Sequence, residues 1–457
     1  MHRVSTLVYG VRRTAVGTAL GIALLTVCAC NGPAKVVILP LWKPAEWRGD
    51  ITRTPQAIGS QTVEINVAQL QPPANKKISL SLPSTGDVIA VLTDYEVVAD
   101  KQFVWRGAIE GDAGSAVTLS VIESKVVGSI VTSGGKIFSI RFLGKGVSLV
   151  EELDPAKFPR EEGAGQIELY RIPDRLEGLR LEQSLASGQL KMNESAPLTE
   201  QGVLIDVMVL YTAAAAAFET DQDAVTAKIN LIISDTNKSY EYSEVNQRIR
   251  LAHVEQTGYQ EKSSIGLDWD ALWDSSNNVH LVGLNNLRST HEADIVVLIT
   301  KPALENESCG VAKQMKKIRS SFCTSAFAVV PINCATSKYS FAHELGHLMG
   351  ADHNNEGGTS TSGPPFQHSR GYVSPSNSWH TIMAYPTDAC VEPNCERILR
   401  WSNPAVSYPE LSAATTQASQ PEPTGSDVAN NSSSLIQSAT TVAQFSDVCT
   451  EQPGPAE

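Results

Sequence analysis

His343-Glu344-Leu345-Gly346-His347-Leu348-Met349-Gly350-Ala351-Asp352-His353 is the stretch whose reading decides the fold. Thr336 to Ala342 lead into a helical run. On a helix, positions i and i+4 share a face, so His343 and His347 point the same way. Two imidazoles on one face can share a metal ion, and Glu344 can reach a water on that metal. Gly350 falls where the helix has to stop, because glycine accepts a positive φ without steric cost. The turn it permits carries His353 back as a third ligand. Three neutral imidazoles with one open position fit a catalytic zinc ion rather than a closed structural site. The short form H-E-x-x-H arises by chance in long chains. The extended form fixes five positions, and its chance occurrence is on the order of one in a hundred thousand. A core helix with two incidental histidines is the weaker reading.

Downstream lies Trp379-His380-Thr381-Ile382-Met383-Ala384-Tyr385-Pro386. The long histidine motif followed by a methionine turn resembles the signature of the metzincin zinc endopeptidases. Phe341-Ala342 before the motif, Asn354 after it and Thr381-Ile382-Met383-Ala384-Tyr385 beyond it resemble the reprolysin-like bacterial branch, which includes the peptidyl-Asp metalloendopeptidases. The resemblance implies an α/β (α+β) metzincin-like catalytic domain with a twisted mixed sheet and a zinc helix. It also implies that Met383 floors the metal and that Tyr385 approaches the metal or the oxyanion; core filler and an ordinary packed tyrosine are the plainer readings. Zn2+ on His343, His347 and His353 would activate water. Glu344 would take its proton and hand it to the leaving amine of a protein or peptide substrate. Two rivals stand beside this. A secreted zinc-binding or adhesion module without turnover would have no need of Glu344. A zinc hydrolase of something other than peptides fits less well with the cleft-edge strand described below.

The chain has 457 residues, enough for two domains. Its 42% hydrophobic and 19% charged content is that of a globular protein. A net charge of -13 and the lack of any basic run argue against a nucleic-acid partner. Of eight cysteines, Cys28 and Cys30 fall in the leader. Cys309, Cys323, Cys334, Cys390, Cys395 and Cys449 form an even set that reads as disulfides in an exported chain, with the pairing open. A bond involving Cys390 or Cys395 would brace the lower wall of the cleft.

Residues 1–30 read as an export signal: Arg3, Arg12 and Arg13 precede an apolar run from Ala15 to Cys30 that is short for a membrane span. Val27-Cys28-Ala29-Cys30 leaves two destinations, free secretion and a bacterial cell-envelope lipoprotein anchored through Cys30. Residues 31–155 are expected to form an all-β domain, a sandwich or open barrel. Its alternating runs are Thr62–Val67, Lys77–Leu82, Val88–Thr93, Ala116–Val121, Lys125–Val131 and Lys136–Phe142. Trp105-Arg106-Gly107 and the strands after it are similar to the propeptides of such bacterial enzymes, which implies a zymogen; a permanent accessory domain is the alternative. Residues 31–308 hold no cysteine, so any inhibitory group is a carboxylate, another side chain or simple occlusion.

Residues 156–202 read as a linker, with weak helical spacing over Leu176–Leu190 and activation expected in the polar stretch Met192–Gln201. The catalytic domain spans 203–449. Its expected strands are Val203–Tyr211, Arg248–Glu255, Asp294–Ile299 and Ala326–Pro331, with a helix over Val225–Tyr240. By resemblance, Cys309-Gly310-Val311-Ala312-Lys313 is a cleft-edge strand that pairs with extended substrate. The Gly-, Ser- and Thr-rich run to Gly363 is a loop, Ser402-Asn403-Pro404 a turn, and 410–427 a mobile surface loop. Val428, Leu435, Ile436, Ala439, Val442 and Phe445 give a closing helical stripe, fastened by Cys449, before the tail 450–457. His368 and His380 are candidate pocket histidines. Arg370, Lys316 and Lys317 are candidates to read an acidic substrate.

Overall fold

Alternating apolar runs between residues 57 and 153 become an antiparallel meander. Its strands are β1 (Trp42–Pro44), β2 (Ala57–Ile65), β3 (Lys77–Leu82), β4 (Gly86–Ala99), β5 (Gln102–Ile109), β6 (Ala116–Ile122), β7 (Lys125–Val131), β8 (Ile137–Gly144) and β9 (Val147–Leu153). They lie in the order β1-β2-β9-β8-β7-β6-β5-β4-β3. Pro40 bridges to Ser79 on β3, and Leu41 N donates to Ser79 O at 2.8 Å, which brings the two ends of the sheet together. Near closure leaves little strand edge unpaired. Trp105, Leu119, Phe138, Ile140 and Val150 fill the inside. The computed structural model describes residues 38–71, 75–161, 198–199, 202–275, 278–354, 363–391, 394–408 and 421–450. The expected export signal, the Leu176–Leu190 helix, most of the activation stretch and of the 410–427 loop, and nearly all of the tail lie outside them.

The sequence reading misses β1, β5 and β9. Strand β5 shows why. Its residues Phe103 to Gly107 are all buried, so the alternation that marks a one-sided strand is lost. One face of β5 fills the barrel, and the other meets the C-terminal half. There the Arg106 guanidinium pairs with Asp235 at 2.9 Å and donates to Ser234 Oγ at 2.7 Å. Gly107 is required beside it, since a Cβ would strike the Trp105 ring and the Val91 carbonyl. Arg141 of β8 lies 3.9 Å over the Phe218 ring. Ile122 and Val127 pack on Ala227 and Leu231.

The C-terminal half is built on β11 (Gly202–Tyr211), with β10 (Leu198–Thr199) folded back on its start. β12 (Gln247–Gln256) and β13 (Ile295–Thr300) run parallel to β11, β15 (Phe327–Pro331) runs parallel to β13, and β14 (Val311–Ala312) is antiparallel on β15. The sheet is therefore mixed. The central strands are apolar throughout because helices cover them. The long helix Gln222–Tyr242 and the helix Ser340–Leu348 share a core with β11, β13 and β15 through Val207, Val209, Ile229, Ile232, Val297, Phe341 and Leu345.

Three disulfides form: Cys309–Cys334, Cys323–Cys449 and Cys390–Cys395. The closing stripe needs correction. The helix runs Asn431–Val442 and a second turn of helix Phe445–Thr450 follows. Leu435, Ala439, Val442 and Phe445 are buried, but Val428 precedes the helix and is 69% exposed, and Ile436 is 49% exposed. Ile436 follows Leu435 directly, about 100° around the helix, and so faces away. No described helix is long and apolar enough to cross a membrane.

Candidate metal centre

The helix Ser340–Leu348 starts after Tyr339, which holds a left-handed φ of 55°. It carries His343 and His347 inward on one face, both fully buried. The helix ends where expected. Gly350 takes φ 87° and Ala351 N reaches back to Gly346 O at 2.9 Å. The chain then turns and brings His353 to the other two. The imidazole nitrogens of the three lie within 4.8 Å of one another.

The hydrogen-bond pattern tests whether a cation belongs there. His343 Nδ1 is 2.9 Å from Ile382 O, and His347 Nδ1 is 3.2 Å from Ala351 O. A carbonyl only accepts, so both Nδ1 atoms carry the hydrogen and both Nε2 atoms present lone pairs. Each of those Nε2 atoms is 3.0 Å from His353 Nε2. One proton on His353 could satisfy only one of them. A tetrahedral cation bound at about 2.0–2.1 Å satisfies all three. Burial pushes the His343 imidazole down to about 3 and lowers His347 and His353 as well, so all three are neutral ligands at ordinary pH.

Neighbouring groups hold the third ligand in place. The Asp352 carboxylate accepts from His353 N at 2.8 Å and from Arg370 Nη1 at 2.8 Å. Asn431 of the closing helix brackets the Asp352 main chain at 3.2 and 3.1 Å. Arg370 is thus spent on Asp352. Met383 is fully buried, and a Cβ on Gly346 would lie 2.8 Å from its Sδ and 2.7 Å from Trp401 Cζ3. The methionine therefore packs against the helix between the two ligands. The Tyr385 ring lies against His353, tilted by 42° with 4.2 Å between ring centroids, and its hydroxyl donates to Glu161 O at 3.2 Å. Glu344 is buried on the same helix. His368 stacks on Phe366 and His380 sits on a short strand pairing; neither joins the convergent set.

Two residues at the site, Glu161 and Arg397, escape the sequence reading, and a third, Gly310, enters it only as part of the expected edge strand. Gly310, inside the expected edge strand, lies against Glu344: a Cβ there would be 2.9 Å from its Cδ and Cγ. Arg397 and Glu161 form a buried ion pair beside the histidines. Only the Cys309–Lys313 edge expectation carried any signal, for Gly310.

Three convergent neutral imidazoles, with a carboxylate on the same helix and the edge strand Val311–Ala312 of the mixed sheet, are the working parts of a metallopeptidase. Residues 203–401 match the Reprolysin_5 family, described as Metallo-peptidase family M12. A peptidyl-Asp metalloendopeptidase of Stenotrophomonas maltophilia is 30% identical over 382 residues, covering 79% of this chain and 82% of that protein. One of Xanthomonas campestris pv. campestris is 29% identical over 370 residues, covering 78% and 81%. The chain belongs to metallo-peptidase family M12, and it is a metalloendopeptidase that acts on protein or peptide substrates.

Proposed function

We propose that the chain is an exported zinc endopeptidase of metzincin type, made as a latent precursor whose N-terminal β domain serves as the propeptide. The convergence of three Nε2 lone pairs carries this reading. A zinc ion held there by His343, His347 and His353 supplies a Lewis acid and an activated water. Glu344 takes the proton of the attacking water and delivers it to the leaving nitrogen. The Tyr385 hydroxyl donates to the carbonyl oxygen as negative charge develops on it. Met383 supports the helix from below. The edge around Cys309 and Gly310, once cleared of the linker, takes the substrate main chain as an added strand. The leader and the three disulfides support export. The relatives are named for peptidyl-Asp bonds, and we extend an acidic preference to this chain.

The test is casein hydrolysis by the purified protein, with and without a zinc chelator, followed by mass spectrometry of casein and of the chain itself. Chelator-sensitive cleavage, with a cut between Glu161 and Val203, is expected. Cleavage indifferent to the chelator, or equal in the Glu344→Gln variant, would overturn the mechanism.

A further inference from the structure

We infer that Arg397 is the residue that reads an acidic side chain next to the scissile bond, and that Glu161 occupies its pocket in the uncut chain as a pseudosubstrate. This rests on the peptidase reading above and adds the residues that set its specificity and latency.

Phe158 to Glu161 leave the barrel and meet the chain at Cys309, two residues before the edge strand Val311–Ala312. Arg160 O accepts from Cys309 N at 3.1 Å and from Ser308 Oγ at 3.1 Å. Main-chain pairing of this kind is how an extended peptide adds to an edge. The next carbonyl, that of Glu161, accepts from the Tyr385 hydroxyl at 3.2 Å. That hydroxyl is the donor assigned to the substrate carbonyl, so Glu161 O lies where a peptide carbonyl would be held during reaction.

The side chain of Glu161 completes the likeness. It enters a closed pocket in which Arg397 grips both carboxylate oxygens, Nη1 to Oε1 at 2.5 Å and Nη2 to Oε2 at 3.2 Å. Ser340 Oγ, from the first turn of the metal helix, donates to Oε1 at 2.8 Å. Arg397 Nη1 is also tied to Lys338 O at 3.0 Å. The side chains of Glu161 and Arg397 are 1% and 5% exposed. Burial works to raise the Glu161 carboxyl, but the charge of Arg397 holds it well below the usual carboxylate range. A buried guanidinium stripped of its carboxylate is costly, so an Asp or Glu side chain is favoured in this pocket over an amide of the same shape. A purely structural ion pair between linker and catalytic half would make no such demand on substrate.

The test is binding, measured on the full chain carrying Glu344→Gln. Two fluorescent peptides are compared by anisotropy, one with a single Glu and its twin with Gln in that place. Releasing the pocket with Glu161→Gln should tighten the acidic peptide by at least about tenfold and leave the amide twin weak. Adding Arg397→Gln should erase the preference while the twin binds as before, which also reports an intact fold. Equal binding of the two peptides after Glu161→Gln, or a preference that survives Arg397→Gln, would overturn the inference. If the Arg397 variant does not fold, the Glu161 comparison alone decides. Neither result depends on turnover, so failure here is separate from failure of the casein assay.

Discussion

Asn354 and Tyr385 clasp each other through reciprocal bonds: Asn354 Nδ2 donates to Tyr385 O at 3.2 Å, and Tyr385 N donates to Asn354 Oδ1 at 3.0 Å. The clasp joins the loop that carries the third ligand to the chain after Met383. His353 and the Tyr385 ring are therefore placed as one unit. Asn354→Ala should weaken zinc binding by about 10–100-fold, as loss of an outer-shell partner does, and lower kcat/KM in step. Competition with a chelating dye alongside peptide kinetics measures both; unchanged zinc affinity would count against the coupling.

Glu344 is assigned to proton transfer and not to metal binding. Glu344→Gln should keep the zinc content of the parent and lose about 10²–10⁴-fold in kcat. His347→Ala should lose both the metal and the turnover. Metal analysis of the purified variants with a peptide assay separates the two roles.

Gly310 leaves room for the Glu344 carboxylate, whose Cδ would lie 2.9 Å from any added Cβ. Gly310→Ala should displace that carboxylate by a fraction of an ångström to an ångström. A fall in kcat on the order of 10²-fold is expected, with little change in zinc content. Equal activity in the alanine variant would show that the base has slack.

Cys323–Cys449 spans a sequence separation of 126 and ties the last helical turn to the segment before β15. The double variant Cys323→Ser/Cys449→Ser should be less stable than its parent by about 2–5 kcal/mol. Urea unfolding followed by tryptophan fluorescence reads this as a shift in midpoint, provided the active site is silenced by Glu344→Gln.

Glu396, next to the pocket arginine, gives a pH signature. Burial pushes its carboxyl up to about 8, although the Tyr408 hydroxyl at 3.0 Å works the other way. The folded value lies above the unfolded 4.5, so the folded state holds a proton that the unfolded chain gives up. Stability from this group is complete below 4.5 and drains away as pH rises through about 8. Glu396→Gln should remove that slope, on the order of a few kcal/mol between the two limits. Denaturation midpoints of the variant and its parent at pH 5 and pH 8.5 compare them; parallel behaviour would refute it.

The metal helix is legible because imidazoles four apart, a glycine at the stop and a histidine beyond it leave the backbone few other arrangements. Val203–Tyr211 and its parallel neighbour Ile295–Thr300 read correctly because strands covered on both faces are largely apolar. The Glu161–Arg397 pair could not be read. Its members are 236 positions apart, and neither residue type is unusual in its own stretch. Arg370, nearer the motif and equally basic, is held by Asp352 instead. Sequence proximity marks the ligands, which share a helix and a turn, but not a pocket assembled from a linker and a distant strand. Strand β5 was hidden for a related reason, since its second face is covered by another part of the chain.

The seam between barrel and long helix has a consequence for timing. Arg106 reaches Asp235 across it, Arg141 lies on Phe218, and Ile122 and Val127 meet Ala227 and Leu231 as neighbours in a core do. Separating these surfaces strands a buried guanidinium and a buried carboxylate, about 3–5 kcal/mol for such a pair alone. Cutting the connection after Glu161 severs no contact across this seam. On the latent-precursor reading proposed above, the product of the cut would be a nicked, two-piece particle, and the clock for the onset of activity would be the off-rate of the barrel, not the speed of the scissors.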